Sequence, residues 1–243
     1  MKLISLNIER NLHTETVLSF LKKEKPDVVC LQEILEEEFV FYKNELNLDG
    51  IFQAENYVRG PKYPALLGKK DGVAIFSKNI VDSGTVFYYR EEENTLRTFN
   101  KHMSDEKDKR NYALVWISTK DDSGKLYKFI TAHLPVTKDG ATTPFQLKVL
   151  DSFLVQTEKL GDFVLCGDTN APRGQEAFSR LAEKYKDNIP KEYKTSIDQN
   201  LHRDKGIQCM VDVLFTTPSY KASNVKLVDG LSDHMAVVAD ISQ

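Results

Sequence analysis

Short apolar runs that end at polar or ionisable side chains recur along this chain and constrain its fold more than any other feature. Val28–Leu31 leads towards Glu33, Phe129–Ala132 leads into His133, and Phe163–Cys166 precedes a cluster of turn-forming residues. Apolar runs this short, bounded by turn signals, are typical of buried β-strands. A packed sheet can hold polar side chains rigidly where its strands end. The pattern therefore predicts a sheet-rich protein with a polar cleft at the strand ends.

Helical patterns are interspersed with these strand-like runs. Thr14–Glu24 and Glu36–Leu46 have apolar residues at roughly helical spacing, and a third helix is predicted from Pro144 to about Leu160, after Thr143 as its cap. The chain has 243 residues and a hydrophobic fraction of 41%, which is enough for a sizeable core. Because the polar motifs extend from one end to the other, we predict a single domain over residues 1–243.

Two polar clusters beside apolar runs point to chemistry. One is Gly167-Asp168-Thr169-Asn170, and the other is Ser232-Asp233-His234. Carboxylate and amide oxygens are hard ligands that suit magnesium. A neighbouring histidine can donate a proton or a hydrogen bond to a phosphate. If the two clusters meet in space, they predict a metal-assisted hydrolase that acts on phosphate esters.

Six short motifs occur in a fixed order between residues 6 and 234. They are Leu6-Asn7-Ile8, Leu31-Gln32-Glu33, Thr131-Ala132-His133-Leu134, Gly167-Asp168-Thr169-Asn170, Val211-Asp212 and Ser232-Asp233-His234. In this order they resemble the endonuclease/exonuclease/phosphatase superfamily, which includes deoxyribonucleases, abasic-site endonucleases, deadenylases, sphingomyelinases and inositol polyphosphate 5-phosphatases. The resemblance implies an α/β fold, a four-layer α/β-sandwich with two mixed β-sheets face to face and helices outside. It also implies phosphoester hydrolysis with a divalent metal.

The resemblance suggests which residues hold that metal, Mg²⁺ or Mn²⁺. Glu33 and Asp233 are the first candidate ligands, and Asn7 would contact the metal or a phosphate oxygen through its amide. Glu9 falls where abasic endonucleases carry an acidic residue, although an exposed glutamate would explain it equally well. A carboxylate at the end of an apolar strand is costly unless it is paired or metal-bound, and Glu33 fits that description.

Five further residues take catalytic roles in this interpretation. Asp168 would orient or deprotonate the attacking water, and Asn170 would hold that water or the phosphate in line. His234 would hydrogen-bond the phosphate, and Asp212 would bind its other ring nitrogen and fix its tautomer. His133 would be a second phosphate donor or the acid for the leaving group.

Arg110 is a candidate phosphate ligand, because some members of the superfamily place an arginine before the corresponding strand. It could equally be a solvated charge at the end of a basic run. The charged stretch Arg90–Arg110 is predicted to be a mobile loop at the rim of the site. His13, His102 and His202 lack comparable context and are predicted to be surface residues.

The substrate class is less constrained than the reaction. The Gly-Asp-Thr-Asn motif favours a nucleic-acid phosphodiesterase, either a DNA nuclease or an enzyme that resembles the tyrosyl-DNA phosphodiesterases of DNA repair. Ala171-Pro172-Arg173 after that motif differs from the tyrosyl branch. The net charge of −3 gives no overall basic excess to attract nucleic acid, although a local patch would suffice. A hydrolase for lipid or small phosphoesters and a catalytically inactive binding module are the alternatives.

The remaining features predict a cytoplasmic monomer with no obligate protein partner and no membrane association. Cys30, Cys166 and Cys209 lie in apolar strand-like runs without paired spacing, which is typical of buried thiols in a reducing compartment. The sequence has neither an apolar stretch long enough to span a membrane nor a recognisable export signal.

Overall fold

Two mixed β-sheets pack face to face in the computed structural model of the chain, and helices cover the outer face of each sheet. The structure describes residues 1–58, 63–90 and 110–243, together with the backbone of residues 97–98. The predicted mobile loop at 90–110 and His102 therefore lie almost wholly outside the described residues.

Thirteen strands and four α-helices make up the described part of the chain. The strands are β1 (Lys2–Asn7), β2 (Val28–Leu35), β3 (Asp49–Tyr57), β4 (Lys70–Ser77), β5 (Ile80–Tyr89), β6 (Arg97–Thr98), β7 (Tyr112–Lys120), β8 (Leu126–His133), β9 (Val164–Asp168), β10 (Lys186–Asp187), β11 (Asp212–Thr216), β12 (Lys221–Val228) and β13 (Ala236–Ser242). The helices are α1 (Thr14–Glu24), α2 (Glu36–Leu46), α3 (Pro144–Thr157) and α4 (Glu176–Lys184).

Both sheets combine parallel and antiparallel neighbours. The first sheet has the order β12-β13-β1-β2-β4-β3-β6, in which β1–β2 and β3–β6 are parallel pairs. The second sheet has the order β10-β11-β9-β8-β7-β5, in which β8–β9 is parallel. The other neighbouring strands pair antiparallel. The prediction of two mixed sheets is therefore confirmed.

Apolar side chains fill the three spaces between four layers. Val17, Leu21 and Tyr42 from α1 and α2 pack on the outer face of the first sheet. A second cluster, which includes Cys30 and Cys166, fills the space between the sheets. A third cluster joins α3 and α4 to the outer face of the second sheet. The four-layer α/β-sandwich expected from the resemblance is thus confirmed, with three separate apolar contacts holding it together.

Three local features depart from the sequence prediction. The short helix α4 was not predicted, although Ala177, Phe178 and Leu181 along it are buried. It has only nine residues, but its apolar side chains lie on one face, so the sequence carried a helical signal that could have predicted it. The third predicted helix ends as an α-helix at Thr157 and finishes in a 3₁₀ turn. Cys209 lies in a loop and is partly exposed, rather than in a buried strand.

The described helices include none that is long and apolar enough to cross a membrane.

Candidate active site

A cavity of about 610 Å³ opens where several strands of both sheets end. Its wall includes ionisable residues from separate parts of the chain, among them Arg10, Glu33, Glu55, Asp71, Arg110, His133, Asp168, His202, Asp233 and His234. The structure therefore gathers most of the sequence-predicted site residues around one space. It also adds Arg10, Glu55 and Asp71, which the sequence motifs did not single out.

Strand register explains why three of the polar residues meet. Asp168 is the last residue of β9, and it lies opposite His133 at the end of parallel β8. On its other side Asp168 lies opposite Asp212, the first residue of antiparallel β11. A one-residue slip would turn each side chain to the other face of the sheet. The apolar alternation that fixes the register therefore also fixes the site.

Asp168 is the hub of the hydrogen-bond network. Its Oδ2 accepts a hydrogen bond from Nδ2 of Asn7 at 3.1 Å, and its Oδ1 accepts one from the backbone N–H of Asn170 at 2.9 Å. Nε2 of His133 lies 3.6 Å from Oδ2, and Nε2 of His234 lies 3.7 Å from the same oxygen. Asn7 and His234 come from the first sheet, at the end of β1 and just before β13, whereas His133, Asp168 and Asn170 come from the second, so the network spans both sheets.

His234 is held from behind by Asp212. Nδ1 of His234 lies 2.8 Å from Oδ2 of Asp212, and both residues are buried. Burial by itself would lower the pKa of His234, but Asp212 and Asp168 act against it and raise that pKa well above its ordinary value. One donor atom from each of Asp168, Asp212 and His234 falls within 4.8 Å of the others. Because Nδ1 of His234 is already committed to Asp212, we interpret the group as a hydrogen-bonded chain rather than as a metal-ligand set.

Two β-bulges aim glutamates into the cavity. The register of β2 against β4 skips Glu33, and the register of β3 against β4 skips Glu55. The extra residue of a bulge is unpaired and its side chain is redirected. Both bulges lie beside Gly72 of β4, where an added Cβ would overlap the backbone carbonyl oxygen of Gln53. The absence of a side chain at Gly72 lets the strands approach closely enough to form both bulges.

Arg10 links the bulge in β2 to the neighbouring strand β4. Its Nη1 lies 2.6 Å from Oε2 of Glu33, and its Nη2 lies 2.7 Å from Oδ2 of Asp71. The guanidinium carbon also lies 4.5 Å from the centre of the Tyr63 ring, at cation–π distance. Arg10 is buried. Burial lowers its pKa, but the nearby carboxylates of Glu33 and Asp71 outweigh this effect, and the pKa of Arg10 lies above its ordinary value. The arginine therefore stays charged and fixes the Glu33 carboxylate in one orientation.

Carboxylates concentrate on the side of the cavity where Glu33 lies. The pKa of Asp233 is raised to about 6, first by burial and then by repulsion from Glu9 and Glu33. Glu9 accepts a hydrogen bond from the Tyr63 hydroxyl at 2.8 Å and lies 3.1 Å from Nη2 of Arg203. Negative groups that repel one another around a cavity are stabilised by a cation. The oxygen donors of Glu33 and Asp233 therefore fit a hard divalent metal.

Backbone strain also concentrates at the site. Glu9, Arg10, Glu33 and Asn170 adopt φ values of 47°, 63°, 53° and 46°, in the left-handed region that residues with side chains rarely adopt. Such conformations cost of order 1–3 kcal/mol each and persist where the surrounding structure imposes them. All four belong to the network around the cavity. Their strain supports the interpretation that this part of the chain is shaped for function.

The sequence-predicted residues divide into those on the cavity wall and those behind it. Asn7 and Glu9 are buried behind the wall, where Asn7 Oδ1 accepts the Glu9 N–H at 3.1 Å. Arg110 lines the cavity and is partly buried, and its role as a phosphate ligand stays a prediction. His202, which was predicted to be a surface residue, is partly exposed and also lines the cavity. Nearby Asn170 Nδ2 lies 3.0 Å from Nε2 of His133.

The family assignment follows from a match along almost the whole chain. The model of the Endonuclease/Exonuclease/phosphatase family matches residues 4–234, which include all six motifs. The chain belongs to this family. A search of curated proteins with the sequence of this family member finds no match.

Solved structures share the fold at low sequence identity. An endonuclease/exonuclease/phosphatase from Bacteroides vulgatus is 19% identical with a TM-score of 0.74, over 99% of this chain and 98% of that one. The mannosyl-6-phosphatase Bt3783 from Bacteroides thetaiotaomicron is 12% identical with a TM-score of 0.71, over 100% of both chains. ANGEL2, a 2′,3′-cyclic phosphatase, is 15% identical with a TM-score of 0.67, over 99% of this chain and 94% of that one. These likenesses concern the fold.

Proposed function

We propose that this chain hydrolyses a phosphoester in a reaction that depends on a divalent metal and centres on Asp168. The main support is that four residues from the two sheets surround the Asp168 carboxylate: Asn7, Asn170, His133 and His234. A carboxylate held in this way can orient a water molecule and accept its proton. Membership of the family supports the reaction class.

Glu33 and Asp233 would hold the metal, with Asn7 and Glu9 supporting them from behind the wall. The fit rests on the donor set, since two carboxylates face one cavity and Glu33 raises the pKa of Asp233. Mg²⁺ or Mn²⁺ bound there would neutralise phosphate charge. Arg10 keeps Glu33 oriented towards the cavity and would thereby set the position of that charge.

The remaining roles belong to the protein's own groups. Asp168 would take the proton of the attacking water, and Asn170 would hold that water or the phosphate in line. His234 would donate a hydrogen bond from Nε2 to the phosphate while Asp212 holds Nδ1. Its raised pKa favours the protonated ring that this donation needs.

His133 and Arg110 would act on the other side of the same phosphate. Both line the cavity, and His133 is fixed beside Asn170 and Asp168. His133 would donate to a phosphate oxygen or protonate the leaving group, and Arg110 would add a charge-assisted contact.

A small phosphoester is the substrate that the geometry supports best. The site is a cavity of about 610 Å³, within the range of small-molecule sites, and buried Glu55 and Asp71 are among its wall residues. Carboxylates in the wall oppose a polyanionic backbone. Nucleic acid, with a DNA nuclease or a tyrosyl-DNA phosphodiesterase as specific forms, is the second candidate. It is favoured by the motif resemblance and by ANGEL2, which was solved with adenosine-2′,3′-vanadate.

One substrate panel separates these possibilities. It contains single- and double-stranded DNA, an abasic duplex, RNA, a 5′-phosphotyrosyl oligonucleotide, p-nitrophenyl phosphate and bis(p-nitrophenyl) phosphate, each with Mg²⁺, with Mn²⁺ or with EDTA. Metal-dependent turnover of a small ester without oligonucleotide cleavage is the expected result. Oligonucleotide cleavage would select the second candidate. Folded protein that turns over no ester would contradict the proposal and leave an inactive binding module.

We further propose a single domain over residues 1–243 that acts as a cytoplasmic monomer without an obligate partner. The thiols of Cys30 and Cys166 interact with each other in the core as free cysteines, which is compatible with a reducing compartment. Size-exclusion chromatography with light scattering tests the monomer, and a mass of two chains would contradict it.

A further inference from the structure

Glu55 is a buried carboxylate that faces the cavity and has no role in the hydrolytic network described above. It is 4% exposed, it lines the cavity, and the bulge in β3 directs it there. Its Oε1 accepts a hydrogen bond from the backbone N–H of Ala113 at 2.7 Å. Among the residues that the structure describes, its Oε2 has no hydrogen-bond partner. Because Glu55 lines the cavity, this oxygen is open to it and can accept a hydrogen bond from a ligand.

Arg110 lies on the same part of the wall as Glu55. Its positive charge lowers the pKa of Glu55, although burial dominates and keeps that pKa well above its ordinary value. The guanidinium carbon of Arg110 lies 5.6 Å from the centre of the Tyr112 ring, and Tyr112 also lines the cavity. This part of the wall therefore combines a hydrogen-bond acceptor, a multiple donor and an aromatic ring beside the proposed phosphate site.

We infer that Glu55 binds a hydroxyl group of the substrate, so that the chain acts on small phosphoesters that carry hydroxyls, such as sugar or polyol phosphates. The inference deepens the proposed function and depends on it. The phosphate would lie at His133 and His234, and the hydroxylated part would extend towards Glu55 and Tyr112.

Other ligand chemistries fit this part of the wall less well. A second phosphate would be repelled by Glu55 and by Asp71 nearby, which itself raises the pKa of Glu55. An ammonium group would be attracted to Glu55 but repelled by Arg110. Hydroxyl groups both donate and accept, so neighbouring hydroxyls can use the carboxylate and the guanidinium together.

The test compares hydroxylated esters with matched esters that lack hydroxyls. Glucose 6-phosphate, ribose 5-phosphate and glycerol 3-phosphate are each paired with the alkyl or cycloalkyl phosphate of the same carbon skeleton, and kcat/KM is measured with Mg²⁺ or Mn²⁺. The wild-type protein is expected to prefer at least one hydroxylated ester by about 10- to 100-fold, the range of a hydrogen bond to a charged group. Glu55→Gln should reduce that preference several-fold, because Gln can keep the Ala113 contact but no longer offers a charged acceptor to the hydroxyl.

Glu15→Gln is the matched control, since Glu15 is exposed on α1 and does not line the cavity. It should keep the wild-type preference. Circular dichroism and the melting temperature show whether Glu55→Gln is folded. An unchanged preference in Glu55→Gln, a loss of equal size for both members of a pair, or a wild-type protein without preference would overturn the inference. In those cases turnover of p-nitrophenyl esters would still uphold the proposed function, whereas no turnover of any ester would reject both.

Discussion

Asn7 donates a hydrogen bond from its Nδ2 to Oδ2 of Asp168 over 3.1 Å, and this contact joins residues 161 positions apart in different sheets. Asn7 ends β1 of the first sheet, and Asp168 ends β9 of the second. The site is therefore complete only when the two sheets have docked through the apolar cluster between them. Stability and activity are separable, because that cluster lies among the strands and the polar network lies at their ends.

Replacement of Asp168, at the centre of the hydrogen-bond network, should remove activity without unfolding the protein. Asp168→Asn keeps the size of the side chain and its acceptor for the Asn170 N–H, but it removes the charge that would take a proton from water. We expect kcat on the small-ester panel to fall roughly 10²–10⁴-fold. Asp122→Asn, an exposed substitution in a turn, is the matched control and should keep full activity. Near-native kcat in Asp168→Asn would show that another group activates the water.

The pair of His234 and Asp212 should give the metal-free protein a characteristic pH dependence. The folded-state pKa of His234 lies above its value of about 6.5 in unfolded chains. Its contribution to the unfolding free energy is therefore fully present below pH ~6.5 and is lost as pH rises through the folded-state pKa. We expect Asp212→Asn to lower the pKa of His234 and to reduce this pH dependence. Histidine NMR titration and urea unfolding in EDTA, at several values from pH 6 to pH 9, measure both quantities. An unchanged pKa of His234 would contradict the role of Asp212.

Much of the fold could be predicted because local pattern and burial agree. The bounds predicted for α1 and α2 match the structure, and each helix ends before a residue in the left-handed conformation, Lys25 or Asn47. Runs such as Val28–Leu31 form buried strands as expected. The site residues at strand ends could be proposed for the same reason, because register carries adjacent strand ends to one place.

Residues placed by irregular backbone could not be predicted in this way. Glu55 lies within β3, and a simple alternation gives no reason to expect a bulge that aims it into the cavity. Asp71 and Arg10 acquire their importance through contacts between distant segments. The sequence offered one usable signal, Gly72, because glycine inside a strand often marks a bulge or a close approach of backbones.

The affinity for a divalent metal should depend on Glu33, the extra residue of the bulge in β2. Glu33→Gln removes a charged oxygen donor while it keeps the shape of the side chain. We expect the rise in melting temperature on adding Mg²⁺ or Mn²⁺ to wild-type protein to be reduced or lost in this variant, because a ligand that binds the folded state more weakly stabilises it less. Differential scanning fluorimetry across a metal series measures the shift without using activity. Glu45→Gln, on the outer helix α2, is the control. Equal shifts in wild-type and Glu33→Gln protein would remove Glu33 from the ligand set.

A side chain at Gly72 should disturb both bulges at once. An added Cβ would overlap the carbonyl oxygen of Gln53, which belongs to the rigid neighbouring strand β3. We expect Gly72→Ala to lower the unfolding free energy by roughly 1–3 kcal/mol, the usual cost of overpacking. It should also weaken the metal-dependent rise in melting temperature, because Glu33 and Glu55 flank this position. Urea unfolding and scanning fluorimetry test the two effects, and a variant with wild-type stability and metal response would refute this account of Gly72.

Removal of the Arg10 charge should lower the unfolding free energy, because Glu33 and Asp71 lose their positively charged partner. Arg10→Met keeps an apolar side chain near Tyr63 but removes the charged contacts of Glu33 and Asp71. Breaking a buried ion pair by removing one partner costs about 3–5 kcal/mol, so we expect a loss near that range in EDTA at neutral pH.

The pH dependence of the Arg10 variant distinguishes this cause from lost packing. Burial raises the folded-state pKa of Asp71, and Arg10 at present lowers it, so the substitution should raise that pKa further. A carboxyl whose pKa is higher in the folded state costs stability increasingly as pH rises from its unfolded-state value of about 3.9 towards the folded-state value. We therefore expect Arg10→Met to be least destabilised in acid, and Asp71→Asn added to it to restore part of the loss at neutral pH. Urea unfolding of both variants between pH 4 and pH 8 measures this. A pH-independent loss that Asp71→Asn leaves unchanged would show that Arg10 stabilises the site through packing on Tyr63 instead.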